Sequence, residues 1–584
     1  MMKFVFLDTL GLEIIFDLIA LQRNSQRYST LLYQHEGILS ANKNKVGNRN
    51  SVIRQFQSFL NLAKKRNIDL VLTPEYSCPW NIISSIILNT KQWPQEGKLW
   101  VLGCESIKID EIKLFKSKHA GDNTIIYYDE SVYSSNKSFL DPIIYLFQAK
   151  HKNNSKLVVI IQFKTHHMGV WSGGDLERNN LIQGKEIYII RNSVNSIYFM
   201  SLICSEAMNL SSELNGENRI AIDWEDKPYL IFNPQLNPDP AHADFISFRK
   251  YVFQSNDKEI ISLNWQVSSK IANEKMLDNN FSRSGFYIKS NEIELIKENR
   301  IIENHNKGLY YFNNKKNRHT YLLSSDPHCF LIEIPPVKIS NAQPTQIRKD
   351  GPEVIEVFTL NDQKSSLISI KSVCDKHIDY LTETGCVNSF LLNPTNSVLD
   401  KERLVCLSTG DVNGEAKINW CNISNVRSIY MDENQEINGR LTVAQNTCLE
   451  SLRIRTKYID VIKELKKILD DKNNHPDSLS DYKTEKLVLS YYNDSYLDHY
   501  RFNIIGEKGQ RIYATVAFVG SMPNSHIDKV YYTMRELFNR TDSKDIERVV
   551  VFYSRGNGIF AKSDENVAKF ITTNDYDDIS IMKD

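Results

Sequence analysis

A glutamate, a lysine and a cysteine, each just past the end of an apolar run, are the residues of this chain best suited to covalent chemistry. Glu75 follows Leu70-Val71-Leu72-Thr73-Pro74, Lys164 follows Val158-Val159-Ile160-Ile161-Gln162-Phe163, and Cys204 follows Tyr198-Phe199-Met200-Ser201-Leu202-Ile203. Apolar runs of this length read as buried strands, and layered α/β proteins gather their working groups at strand ends. The three can therefore converge although far apart in sequence. A thiol attacks as its thiolate, and a neighbouring ammonium with a carboxylate base supplies that state. Glu75 could take the thiol proton, pass it to a leaving amine and then activate water. Lys164 and the backbone N–H of Ser205 could hold the oxyanion of each tetrahedral intermediate.

The elements needed to position these groups can be read along the chain. Tyr28 to Gln34 reads as a strand. Val52, Ile53, Phe56, Phe59, Leu60 and Ala63 lie on one face of a helix, and Ile68 to Thr73 is a second strand. Further strands are expected at Leu99 to Gly103, Thr124 to Tyr128, Leu157 to Gln162, Ile187 to Arg191, Ile197 to Ile203, Tyr229 to Phe232 and Glu259 to Asn264, with a helix over Ala243 to Asn256. Such alternation predicts an α/β layered domain ending near Phe330 to Pro336. Residues 1–27 read as an N-terminal extension, and 337–352, with Gln343-Pro344 and Gly351-Pro352, as a linker. Residues 353–584 read as an α+β region of unrecognised fold, with a long amphipathic helix over Leu449 to Leu469.

Composition bounds the alternatives. The chain has 584 residues, 41% hydrophobic and 24% charged, enough for two or three domains. Lys plus Arg and Asp plus Glu number 71 each, so no global field favours nucleic acid or an anionic membrane. Nine scattered cysteines fit free thiols in a reducing cytoplasm. Asp8, Glu13 and Asp17 interrupt the apolar N-terminal stretch, which reads as neither signal peptide nor membrane span.

Local motifs extend the pattern. Pro74-Glu75-Tyr76-Ser77, Phe163-Lys164-Thr165-His166 and Ile203-Cys204-Ser205-Glu206 resemble the Pro-Glu, Lys-x-His and cysteine-elbow motifs of the carbon–nitrogen hydrolase, or nitrilase, superfamily. The resemblance covers residues 28–336. It implies a four-layer αββα sandwich, usually paired as a homodimer, with the catalytic order Glu, Lys, Cys and no metal or cofactor. It also implies that Glu177, ahead of Gly184, is a second glutamate orienting the lysine and substrate, with Asp175 and Glu186 as competitors for that place. Two positions depart from the family: Ser205 stands where an aromatic is usual, and Phe163 where an arginine precedes the lysine. His166 reads as structural and His167 as incidental.

The implied activity is hydrolysis of a non-peptide carbon–nitrogen bond through a Cys204 thioester in a cytoplasmic enzyme. Amide or carbamoyl substrates are favoured over nitriles because Ser205 replaces the tryptophan usual in nitrilases; acyl transfer would use the same groups. The alternative is a regulatory protein whose hydrolase-like domain senses a small molecule and whose C-terminal region binds a protein or nucleic acid. Such fusions resemble bacterial antiviral systems, and the Asn-, Lys- and Ile-rich composition resembles that of an AT-rich bacterial source. Other fragments carry less. Ser172-Gly173-Gly174-Asp175 has the look of a pyrophosphate loop but falls inside the hydrolase-like domain, and Tyr576-Asp577-Asp578 reads as an acidic tail. Cys374-x-x-His377 with Cys386 is too ragged for zinc, and Arg555-Gly556-Asn557-Gly558 reads as a hairpin turn.

Overall fold

The computed structural model describes residues 2–23, 27–152, 154–168, 175–255, 257–272, 282–290, 295–314, 318–335, 338–339, 346–347, 350–361, 366–373, 397–412, 419–431, 437, 443, 449–492, 500–537 and 548–563. The chain divides into two compact units. The first comprises Met1–Val373 with 429–434 and 444–448, and the second comprises the remainder.

The first unit is built on two mixed sheets. One runs Leu367–Ile370, Glu353–Leu360, Cys329–Ile334, Tyr28–Tyr33, Leu70–Leu72, Leu99–Gly103, Pro142–His151, Asn154–Phe163, Thr124–Tyr127. The other includes, in order, Lys3–Phe6, Glu186–Ile190, Tyr198–Ser201, Tyr229–Pro234, Lys258–Leu263, Gly285–Lys289, Arg318–Leu323 and Leu309–Asn314. Strand alternation sorts the first sheet's side chains between its two faces. Val71, Trp100, Leu102, Ile144, Leu146, Leu157, Val159 and Ile161 pack with Phe56, Phe59, Ile82, Ile86, Ile112 and Phe115 from the helices Ile53–Lys65, Trp80–Leu88 and Ile109–His119. Gln162 belongs to the opposite set. Its amide donates to the Ser201 carbonyl at 3.0 Å and its oxygen accepts from the Tyr188 N–H at 3.1 Å, so it joins the two sheets.

Strand direction decides where the candidate residues emerge. Leu70–Leu72 is parallel to Leu99–Gly103, which is antiparallel to Pro142–His151, itself antiparallel to Asn154–Phe163. Leu70–Leu72 and Asn154–Phe163 therefore point the same way, and Glu75 and Lys164 leave the same edge. Gln162 reaching Ser201 brings the end of Tyr198–Ser201, and hence Cys204, to that edge from the facing sheet.

Two boundaries differ from those expected. Residues 1–27 are not an extension, because Lys3–Phe6 pairs with Glu186–Ile190, Ile14–Ile15 pairs with Pro142–His151, and Met2, Leu7, Leu18 and Leu21 are buried. The first unit also continues past 336–352: Glu353–Leu360 pairs antiparallel with Cys329–Ile334, and Leu367–Ile370 pairs with Glu353–Leu360. Lys3–Phe6 and Leu367–Ile370 are edge strands, Ile14–Ile15 is two residues long, and polar residues interrupt Glu353–Leu360, so no continuous apolar run marks these segments.

The second unit has its own core, in which Leu404, Leu407, Ile462, Leu465, Val516, Val530, Met534 and Val550 are buried together. Ala514–Phe518 and Arg548–Arg555 are parallel, with the helix Asn524–Leu537 between them in sequence. Arg555 and Gly558 close a hairpin onto Gly558–Ser563, with Gly556 at φ 56°. The expected long helix spans Leu449–Asp470. Residues 172–174, Cys374, His377, Cys386 and Tyr576 to Asp578 lie outside the described residues. No helix among the described residues is long and apolar enough to cross a membrane.

Candidate functional site

Glu75 is held on a tight turn. The Ser77 hydroxyl donates to the Pro74 carbonyl at 2.7 Å, the Ser77 and Cys78 N–H groups donate to Gly103, and the Trp265 indole donates to the Glu75 carbonyl at 2.7 Å. Gly103 makes this turn possible: a Cβ there would lie 2.2 Å from the Pro74 oxygen. Lys164 is seated in a similar way. Its N–H donates to the Asp141 carbonyl, its carbonyl accepts from the Gly184 N–H, and a Cβ on Gly184 would lie 2.4 Å from the Phe163 oxygen.

The Lys164 ammonium stands among three buried or nearly buried carboxyl groups. It donates to Glu75 Oε1 at 2.7 Å and to both Glu177 oxygens at 2.9 and 3.0 Å, and lies 3.6 Å from Asp141 Oδ2. Lys164, Glu75 and Asp141 are each about 1% exposed at the side chain. Glu177 opens the short helix Asp175–Asn180 and also accepts from the Tyr76 hydroxyl at 3.0 Å and the Met168 N–H at 2.6 Å. The second Glu75 oxygen accepts from the Leu236 N–H at 2.7 Å.

Burial would lower the lysine pKa, yet Glu177, Glu75 and Asp141 hold it well above the ordinary value, so the ammonium stays charged. Oxygens of Glu75, Asp141 and Glu177 lie within 4.8 Å of one another, a spacing that could ligate a cation. The Lys164 ammonium already stands among them.

Cys204 occupies a strained elbow, with φ 41° in the left-handed region that non-glycine residues avoid. Its N–H donates to the Pro234 carbonyl at 2.9 Å, and Ser205 forms the N-cap of the helix Glu206–Glu213. The Ser205 N–H is thus among the donors at a helix start that lack intrahelical partners. Burial pushes the Cys204 thiol well above its usual range and the Glu75 charge adds to this, while Lys164 and the Leu236 N–H oppose it. The thiol is therefore protonated at rest, in electrostatic contact with the carboxylate that could accept its proton. Burial also raises Glu75, which makes it a better base.

Glu206 ties the elbow to the lysine segment. Fully buried, it accepts from the Ile203 and Thr165 N–H groups, both at 2.6 Å, and burial pushes its pKa up to about 7. The two departures from the family pattern have local explanations. Ser205 donates through its hydroxyl to the His166 carbonyl at 2.8 Å, a second tie between the same segments. Phe163 packs edge-on against Tyr128 at 5.7 Å in the helix-side core, where an arginine would be unsolvated. His166 bonds to the Thr165 hydroxyl at 2.9 Å and pairs with Glu213 at 3.3 Å, a positioning arrangement.

Glu75, Lys164 and Glu177 are thus joined by hydrogen bonds, Cys204 and Ser205 lie on the elbow that Glu206 ties to them, and Asp175 and Glu186 are not among the Lys164 partners. Sequence reasoning passed over Asp141, Tyr76 and the Leu236 N–H. Asp141 had a signal, since Asp141-Pro142 opens the strand paired with that of Lys164; the Leu236 N–H, a backbone group, had none. No protein donor among the described residues reaches either Asp141 oxygen. Burial, then the Glu75 charge, pushes its pKa well up, which favours the protonated form of Asp141 beside Glu75. Comparison of the chain with models of protein families and with curated proteins finds no match.

Proposed function

We propose that the first unit is a thiol-dependent carbon–nitrogen hydrolase of the nitrilase type, with the two facing sheets and their covering helices as its αββα sandwich. The observation that carries this reading is the Lys164 ammonium clamped between Glu75 and Glu177 in the electrostatic field of Cys204. In the proposed reaction Cys204 Sγ bonds to the substrate carbonyl carbon as its proton passes to Glu75. Lys164 and the Ser205 N–H stabilise the oxyanion. The C–N bond then breaks, the amine leaves with the proton from Glu75, and the acyl group remains as a thioester. Glu75 next removes a proton from water, which attacks the thioester and releases the acid and the free thiol. Amide and carbamoyl compounds are the substrates of choice; an amine acceptor in place of water would make the same site an acyltransferase.

The test is Cys204 reactivity with and without its partners. Purified protein is incubated with chloroacetamide and, separately, with a panel of primary amides, then adducts are located by peptide mapping. Cys204 is expected to label ahead of the partly exposed Cys406, to slow at least about tenfold in Glu75→Gln, and to be protected by a turned-over amide. Equal labelling of the two cysteines, unaffected by Glu75→Gln, would end the hydrolase reading.

A further inference from the structure

A second polar cavity of about 450 Å³ lies away from Cys204, at the opposite end of the strand Tyr198–Ser201. Its size falls in the range of small-molecule sites. Its lining carries Arg23, Arg191 and Lys227 against one carboxylate, Asp8. Asp8 is already engaged, since both Arg191 Nε and Nη2 donate to it, while Arg191 Nη1 donates to the Tyr198 hydroxyl at 3.1 Å. The other two cations have no carboxylate partner among the described residues.

Arg23 spends only its Nε, on the Ser196 carbonyl at 2.8 Å. Among the described residues no carboxylate pairs with it, and Asp257, whose charge it feels, is not in ion-pair contact. Burial presses its pKa down, the mark of a guanidinium partly stripped of water without an anion to replace it. Lys227 likewise has no acidic partner among the described residues; its carbonyl is held by the Lys258 ammonium at 2.9 Å, which fixes the backbone beside the cavity. The Arg23 amino groups, unengaged among the described residues, and the Lys227 ammonium offer donors from two side chains, which the several oxygens of a phosphate can take together. Ile14, Ile15 and Phe16 form an apolar wall beside them.

We propose that this cavity binds the phosphate group of a small phosphate monoester through Arg23 and Lys227, with the ester's apolar body against Ile14 and Phe16. The site is separate from Cys204 and does not depend on the hydrolase reading.

Isothermal titration of the full chain with inorganic phosphate at low ionic strength tests it. One saturable site is expected, weakened about tenfold or more by Arg23→Gln and by Lys227→Gln, as befits loss of a charge-assisted hydrogen bond, and unchanged by Cys204→Ser. Unfolding midpoints equal to that of the parent show that the variants fold. If Arg23→Gln unfolds, Lys227→Gln, at a partly exposed position, decides the matter. Absence of saturable binding, an affinity indifferent to the folded variants, or succinate binding as tightly as phosphate would each overturn the proposal.

Discussion

Lys164 has two consequences that can be separated by measurement, one for chemistry and one for stability. Its ammonium is the sole cation bonded to Glu75 and Glu177 among the described residues, and these groups are buried or nearly so. Removing it leaves buried carboxylates facing one another, a change that typically costs about 3–5 kcal/mol. Lys164→Ala should therefore lower the unfolding free energy read from urea titration by an amount of that order, whereas Cys204→Ser, which removes no charge, should change it little. Glu206 offers a pH test. Its folded pKa, about 7, is raised above the ordinary 4.5, so the folded state binds the proton more tightly. The contribution to stability is full below about pH 4.5 and is lost as pH rises through 7. The stability of the parent chain relative to Glu206→Gln should accordingly rise as pH falls from 7 to 4.5, followed by thermal unfolding. A relative stability that falls on acidification would contradict the burial argument.

At the scale of elements, the site depends on backbones that approach each other more closely than side chains permit. Gly103 and Gly184 let neighbouring strand ends reach the turns that carry Glu75 and Lys164. A methyl at either position meets backbone oxygen at 2.2 or 2.4 Å, so the backbone must move. Gly103→Ala should lose roughly 1–3 kcal/mol of stability, as overpacking does, and should also slow Cys204 labelling, because the displaced turn holds Glu75, the proposed base. Labelling at the parent rate in a folded Gly103→Ala chain would show that the Glu75 turn does not govern the thiol. These dependencies also set what could be read in advance. Glu75, Lys164 and Cys204 were legible because each follows an apolar run that could only be a buried strand. Asp141, which directly precedes the apolar strand Pro142–His151, was passed over together with that strand. The role of the two glycines depends on distant partners, Pro74 and Phe163, that no local pattern names.

At the scale of the whole molecule, the first unit closes with strands that its sequence disguises. Glu353–Leu360 and Leu367–Ile370 expose Ile355 and Ile368, lie beyond a proline-containing stretch, and so read as the start of another domain. Structurally they complete the sheet: Val354, Val357 and Phe358 are buried, and Arg27 pairs with Glu353 while the Asn304 amide donates to the Pro352 carbonyl at 3.0 Å. A chain ended at 336 would leave Cys329–Ile334 as an unpaired edge of an apolar strand, the feature that templates aggregation. A chain ended at 373 would retain the cover. Expressed side by side, the 1–336 fragment should run as aggregate on size exclusion and the 1–373 fragment should yield markedly more dispersed protein. Equal dispersion of the two would mean that these strands are dispensable and that the first unit can end before them.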